Sequence, residues 1–81
     1  MNNNNNRIYV IEAGWILTGK EEARDENGVS VVDAYVVRRW SNGLGIGGLA
    51  KAENKDDYTL DEIGAVYIRA SKILFEIPRE W

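Results

Sequence analysis

Asn27-Gly28-Val29-Ser30-Val31-Val32-Asp33-Ala34-Tyr35-Val36-Val37-Arg38-Arg39-Trp40 is the stretch that decides the fold. Asn27-Gly28 is a two-residue turn signal, since both residues accept the positive φ that a type I′ hairpin requires. The run that follows is dense in β-branched side chains, which favour a pleated strand and disfavour a helix. On a period of two, Val32, Ala34, Val36, Arg38 and Trp40 alternate onto one face, and Val29, Val31, Tyr35, Val37 and Arg39 onto the other. Both faces are largely apolar, so the strand is expected to be covered on both sides. The same alternation sends Arg38 and Arg39 to opposite sides unless a bulge intervenes.

Working outward, the strand before the turn runs back through Glu21 towards Trp15. Ile8 to Ile11 and Trp15 to Leu17 are two apolar, β-branched and aromatic runs around Gly14. Gly14 is expected to mark a bulge, a bend or a close backbone approach, with Tyr9, Ile11, Ala13, Trp15 and Leu17 sharing one face. Downstream, four of the eight glycines fall between Gly43 and Gly48. Each lowers helix stability by ~1 kcal/mol relative to Ala, so at most one helical turn is expected there. The final third is open between two readings. Thr59-Leu60-Asp61-Glu62 has the form of a capping box, and Leu60, Ile63, Tyr67, Ala70, Leu74 and Ile77 fit helical spacing. Gly64 and five β-branched residues favour instead two strands, about Ala65 to Arg69 and Lys72 to Ile77. The expected fold is mainly β: a small antiparallel barrel-like or rolled sheet of about five strands with at most one short helix. Residues 1–6 are expected to be a disordered Asn-rich tail and 7–81 a single domain.

Composition narrows function. The 81 residues contain no His and no Cys, which removes the usual general base, thiolate zinc sites and disulfides. A Ser-His-Asp or Cys-His site cannot be built, so an enzyme is not expected. No cofactor is implied, and no metal site either: the acidic pairs Glu21-Glu22, Asp25-Glu26 and Asp56-Asp57 read as solvated loops without calcium-loop spacing. The net charge of −3 speaks against general nucleic-acid binding. No apolar run reaches membrane-spanning length and the N-terminus has no signal-peptide pattern, so a cytoplasmic location is expected. A chain this short buries only about 60% of its unfolded surface, which makes homo-oligomerisation an expected source of further burial.

The candidate site is Arg38, Arg39 and Trp40 with Tyr35 and the glycines Gly43, Gly45, Gly47 and Gly48. Arginine forks fit carboxylate or phosphate, an indole or phenol face stacks on a base or cation, and glycine amides approach a ligand closely. The plainer alternative pairs the arginines with Asp33 or Glu76 and uses Trp40 to plug the core edge. The glycine run lacks the Lys-Ser/Thr end of a phosphate-binding loop, and a tight connector is its simpler reading. Trp15 is expected in the core or at an interface, and the terminal Trp81 either loose or docked on a neighbouring subunit.

Asp33 to Trp40 with Gly43-Leu44-Gly45, Gly48-Leu49-Ala50 and Gly14-Trp15-Ile16 resembles a family of small uncharacterised phage and prophage proteins. The likeness extends over most of Ile8 to Ile77. It implies a phage accessory protein of the host-cell cytoplasm, of a kind that often counters host defence. In such relatives prolines fall in the region matching Thr59 to Ala70, which implies strands there, although this chain lacks those prolines. The expected function is non-enzymatic binding. The leading form is sequestration of an anionic small molecule, such as a nucleotide immune signal, in a pocket between subunits. The alternatives are a protein-binding inhibitor of a host defence complex and a virion assembly module.

Overall fold

A computed structural model describes residues 5–41, 43–51 and 56–81. Five strands run through it: β1 Asn6–Ile11, β2 Trp15–Arg24, β3 Gly28–Trp40, β4 Tyr58–Arg69 and β5 Ile73–Pro78. One six-residue helix, α1 Gly45–Ala50, lies between β3 and β4. The strands form one antiparallel sheet in the order β4-β3-β2-β1-β5. The mainly β fold, the strand number and the single short helix agree with the expectation. The sheet is open, with β4 and β5 at its edges.

The two strands expected in the final third are present, and β4 begins earlier than the sequence indicated, at Tyr58. Leu60 and Tyr67 are therefore strand residues paired with Val37 and Ser30. Pairing with β3 overrides the capping-box pattern of Thr59 to Glu62, as tertiary context commonly overrides local propensity. At the other end, Asn6 belongs to the sheet and Asn5 is hydrogen-bonded to it. The Asn5 carbonyl accepts the Glu21 N–H at 2.9 Å and Asn6 opens β1. Residues 1–4 of the expected tail, and 52–55 of the connector before β4, lie outside the described residues.

Gly14 marks a reversal. Ala13 and Gly14 both have positive φ, 72° and 83°, and fold β1 back onto β2. The register pairs Tyr9 with Leu17 and Ile11 with Trp15, so these four side chains do share a face, across a hairpin instead of along one strand. The hairpin at Asn27-Gly28 also forms, by other chemistry than a type I′ turn. The Asp25 carboxylate accepts the N–H groups of Asn27 and Gly28 at 2.8 and 3.0 Å, an Asx turn. Gly28 has no positive φ and already pairs with Arg69 of β4.

β3 is not a regular strand. Asp33 sits at φ 50°, and the register with both neighbours shifts around it. Asp tolerates the left-handed region because its short side chain bonds locally. The extra residue reverses the parity of the faces. Val29 and Val31 before the bulge pack in one core cluster with Ala34 after it, whereas Val37 joins the opposite cluster. The uninterrupted alternation expected for Val29 to Trp40 is corrected accordingly.

The core therefore has two parts. Tyr9, Leu17, Val29, Val31, Ala34 and Ile68 form one, with Ile11 and Ile73 packed against it. In a flat sheet the outermost of five strands lie about 19 Å apart. Ile68 of β4 and Ile73 of β5 meet the same cluster, so the sheet is rolled. On the other face Leu49 and Ala50 of α1 pack onto Ile8, Val37 and Tyr58.

A charged network holds β1, β2 and β5 together where the Tyr9 hydroxyl leaves the core. Tyr9 donates to Glu21 at 3.0 Å, and Arg24 donates to Glu21 at 2.9 and 3.0 Å and to Glu76. Arg7 stands 3.6 Å from Glu21 and 3.8 Å from Glu76. Hydrogen bonds from Arg24 hold the Glu21 carboxyl below its ordinary value of 4.5, with burial opposing. Burial, and then the bond to Glu21, push the Tyr9 hydroxyl above its ordinary value of 10.0. The two signs bound a pH window. The depressed carboxyl contributes stability above about pH 4.5, lost as pH falls through its folded value. The raised phenol contributes stability below about pH 10, lost at higher pH. Urea midpoints followed across pH are expected to fall at both ends, and Glu21→Gln is expected to flatten the acid limb. An acid limb unchanged in Glu21→Gln would remove Glu21 from this role.

Candidate anion site at the end of the long hairpin

A second bulge in β3 decides where the arginines point. Val37 pairs with Leu60, Arg39 with Thr59 and Trp40 with Tyr58, leaving Arg38 as the extra residue. Thr59 and Asp61 lie two apart on β4 and so on one face. Arg39 is opposite Thr59, and Arg38 forms an ion pair with Asp61 at 2.5 Å. Both guanidinium stems therefore lie on the same side of the sheet. Arg38, Arg39 and Thr59 line one cavity of about 430 Å³. The condition set by the alternation of side chains, that a bulge must intervene for one subunit to present both arginines together, is met.

Trp40 falls on the other face, where its ring meets Tyr58 at a centroid distance of 5.8 Å and an angle of 42°. The Tyr58 hydroxyl donates to the Gly45 carbonyl at 2.5 Å, anchoring the start of α1. At the strand ends the two faces meet. A second cavity, of about 220 Å³, is lined by Arg39 and Thr59 from one side, Trp40 and Tyr58 from the other, and Asp56 and Asp57 from the chain before β4. Ser41 completes it.

The plainer expectation for the arginines is half met. Arg38 is ion-paired, but with Asp61, and the pair is exposed. Such a pair contributes at most about 1 kcal/mol. Glu76 is engaged by Arg24 and Arg7 on another part of the sheet, and Asp33 turns out at the first bulge. Among the described residues Arg39 makes no ion pair. Trp40 keeps 36% of its surface accessible, so it is not sealed in the interior.

The other candidate residues do not gather at this site. Tyr35 pairs with Thr18 and lies near the buried Arg79, on the helix-covered side. Gly43, Gly45, Gly47 and Gly48 do not line either cavity. Gly43 and Gly45 turn the chain into α1 at φ 75° and 68°, Gly47 is exposed, and Gly48 is buried beneath Leu44 and the Tyr58 hydroxyl. Their work is to seat Leu49 and Ala50 in the core. Trp15 is exposed, at 55%. Trp81 is docked on its own chain: its indole donates to the Leu49 carbonyl at 2.7 Å and its ring lies 4.0 Å from the Arg79 guanidinium. Arg79 is itself buried and donates to the Thr18 hydroxyl at 2.9 Å, and burial pushes its guanidinium below the ordinary value.

Sequence reading missed Thr59, Asp56 and Asp57 as cavity residues. Thr59 is marked by nothing but its register with Arg39, which depends on a bulge. Among the described residues no helix is long and apolar enough to cross a membrane, and no three potential metal ligands cluster. No protein-family model, no curated protein and no solved structure matches this chain, so the likeness to small phage proteins rests on the residues that carry it and the site on its own geometry.

Proposed function

We propose that this chain is a non-enzymatic binding protein that captures a small molecule through an anionic group at Arg38, Arg39 and Thr59. One observation carries the reading: the bulge at Arg38 turns two adjacent guanidiniums to the same side, over a cavity, with a hydroxyl opposite. Planar guanidinium donors suit carboxylate or phosphate oxygens, and paired forks hold them more firmly than point charges. A chain with no His and no Cys offers no residue poised for proton shuttling at neutral pH. The Arg38 side chain is 62% exposed, so enclosure of a ligand calls for a second copy across the opening, and homo-oligomerisation is part of the reading. An accessory role in a phage-infected cell, as the sequence likeness implies, is consistent with such capture.

Arg39→Ala separates binding from folding. Since Arg39 makes no ion pair among the described residues, the variant is expected to keep the wild-type melting temperature. Loss of a charge-assisted bond of about 1.5–3 kcal/mol should weaken anion binding roughly 10- to 100-fold. Thermal shift with phosphate, pyrophosphate and a nucleotide panel measures this. Native mass spectrometry of protein from expressing cells reads retained ligand and subunit number together. No stabilisation of the native chain by any of these anions sinks the reading.

A further inference from the structure

The two cavities share Arg39 and Thr59 but differ in charge. One is walled by the guanidiniums of Arg38 and Arg39. The other places Asp56 and Asp57 beside Trp40 and Tyr58. Asp61 already neutralises Arg38 in part. A ligand made solely of negative charge would gain at Arg39 and lose against the Asp56 carboxylate that lines the same cavity, because close like charges repel as strongly as opposite ones attract. A simple cation would meet the reverse. Arg39 makes no ion pair among the described residues although carboxylates line the same cavity. Arg39 and Asp56 thus line one open cavity without pairing with each other.

We propose that the ligand is dipolar: an anionic group over Arg38 and Arg39, carried on the same small molecule as an ammonium group seated between Asp56 and the Trp40 ring. The proposal rests on the anion reading above and specifies what else the ligand must carry. A carboxylate next to an indole face attracts an ammonium twice, by charge and by the negative face of the ring. Trp40 is tilted against Tyr58 and keeps part of its surface open, so its ring is available from the cavity side. Thr59 and Ser41 hydroxyls serve the groups between the two ends as donors or acceptors. This chemistry covers amino-bearing phosphates and carboxylates and disfavours polyphosphates.

The test uses the full chain and two probes that differ in one group, 2-aminoethyl phosphate and 2-hydroxyethyl phosphate, with inorganic phosphate as a third. Titration calorimetry at low salt is expected to show the amine bound about fivefold tighter than the alcohol, the worth of one exposed charge pair with an aromatic face. Asp56→Asn should bring the two probes within about twofold, weakening the amine and tightening the alcohol as the repulsion is removed, and added salt should shrink the preference. Asp56 is exposed, and circular dichroism checks that the variant folds. Equal affinity for amine and alcohol overturns the dipolar ligand and leaves the anion site standing. Absence of binding by all three probes overturns both.

Discussion

Tyr9→Ala is expected to remove about 3–5 kcal/mol of stability, the range for deleting a buried aromatic ring. Tyr9 is fully buried and is the largest of the fully buried side chains. It sits in the middle of β1, opposite Leu17 of β2 and Glu76 of β5, so it lies in two of the sheet's four strand pairings at once. A folded chain of 81 residues has on the order of 4–12 kcal/mol of stability. The variant is therefore expected to melt about 12–40 °C lower, or not to fold at physiological temperature. Tyr9→Phe separates the ring from the hydroxyl. It keeps the ring and loses the bond to Glu21, which retains Arg24 and Arg7. It should lower stability by about 0.5–1.5 kcal/mol, the net worth of one hydrogen bond. A Phe variant as unstable as the Ala variant would mean that the charged network, and not apolar burial, holds β1 in place.

Tyr9 belongs to the part of the molecule that was legible in the sequence. Its spacing to Ile11, Trp15 and Leu17 identified the shared face correctly, although the connection between them is a reversal. That reversal was hidden because Ala13 shares the positive φ with Gly14, and Ala does not advertise that conformation. The strand Val29 to Trp40 was legible from its β-branched run, and its bulges were not. Asp33 gave a faint signal, since Asp visits the left-handed region more readily than most residues. Arg38 gave none: an extra residue in a strand is set by how two strands register against each other, a non-local property. The arginine site was thus visible as composition and invisible as geometry, and the partner of Arg38 followed the geometry. Thr59 to Glu62 shows the converse. A capping box and helical spacing are local statements, and the sheet edge offered by β3 outweighed both.

Gly28→Ala distinguishes what the chain's clearest local signal implied from what its packing shows. If Gly28 were there for positive φ in a type I′ turn, Asn would be an acceptable substitute, because Asn tolerates that region. The φ of Gly28 is ordinary for a strand. What excludes a side chain is β4: a Cβ at Gly28 would lie 2.5 Å from the Ile68 carbonyl oxygen and 2.6 Å from the Tyr67 ring. The half-exposed Tyr67 ring lies across the glycine and fills the space a side chain would take, an aromatic covering a cross-strand glycine. Ring and carbonyl do not yield equally. The ring can swing away, but the carbonyl belongs to backbone paired at Val29–Ile68. Gly28→Ala is therefore expected to destabilise by about 1–3 kcal/mol, the cost of overpacking, and Gly28→Asn by at least as much. Combining Gly28→Ala with Tyr67→Ala should recover part of the loss and not all of it, since the clash with the Ile68 carbonyl persists. Gly47→Ala is the control: a Cβ there meets nothing within 4 Å, φ is ordinary, and the position is helical. It is expected to stabilise by up to about 1 kcal/mol through helix propensity. Urea midpoints of the four variants decide the matter. A Gly28→Asn variant as stable as wild type would mean that the turn, and not the approach of β4, requires glycine at this position.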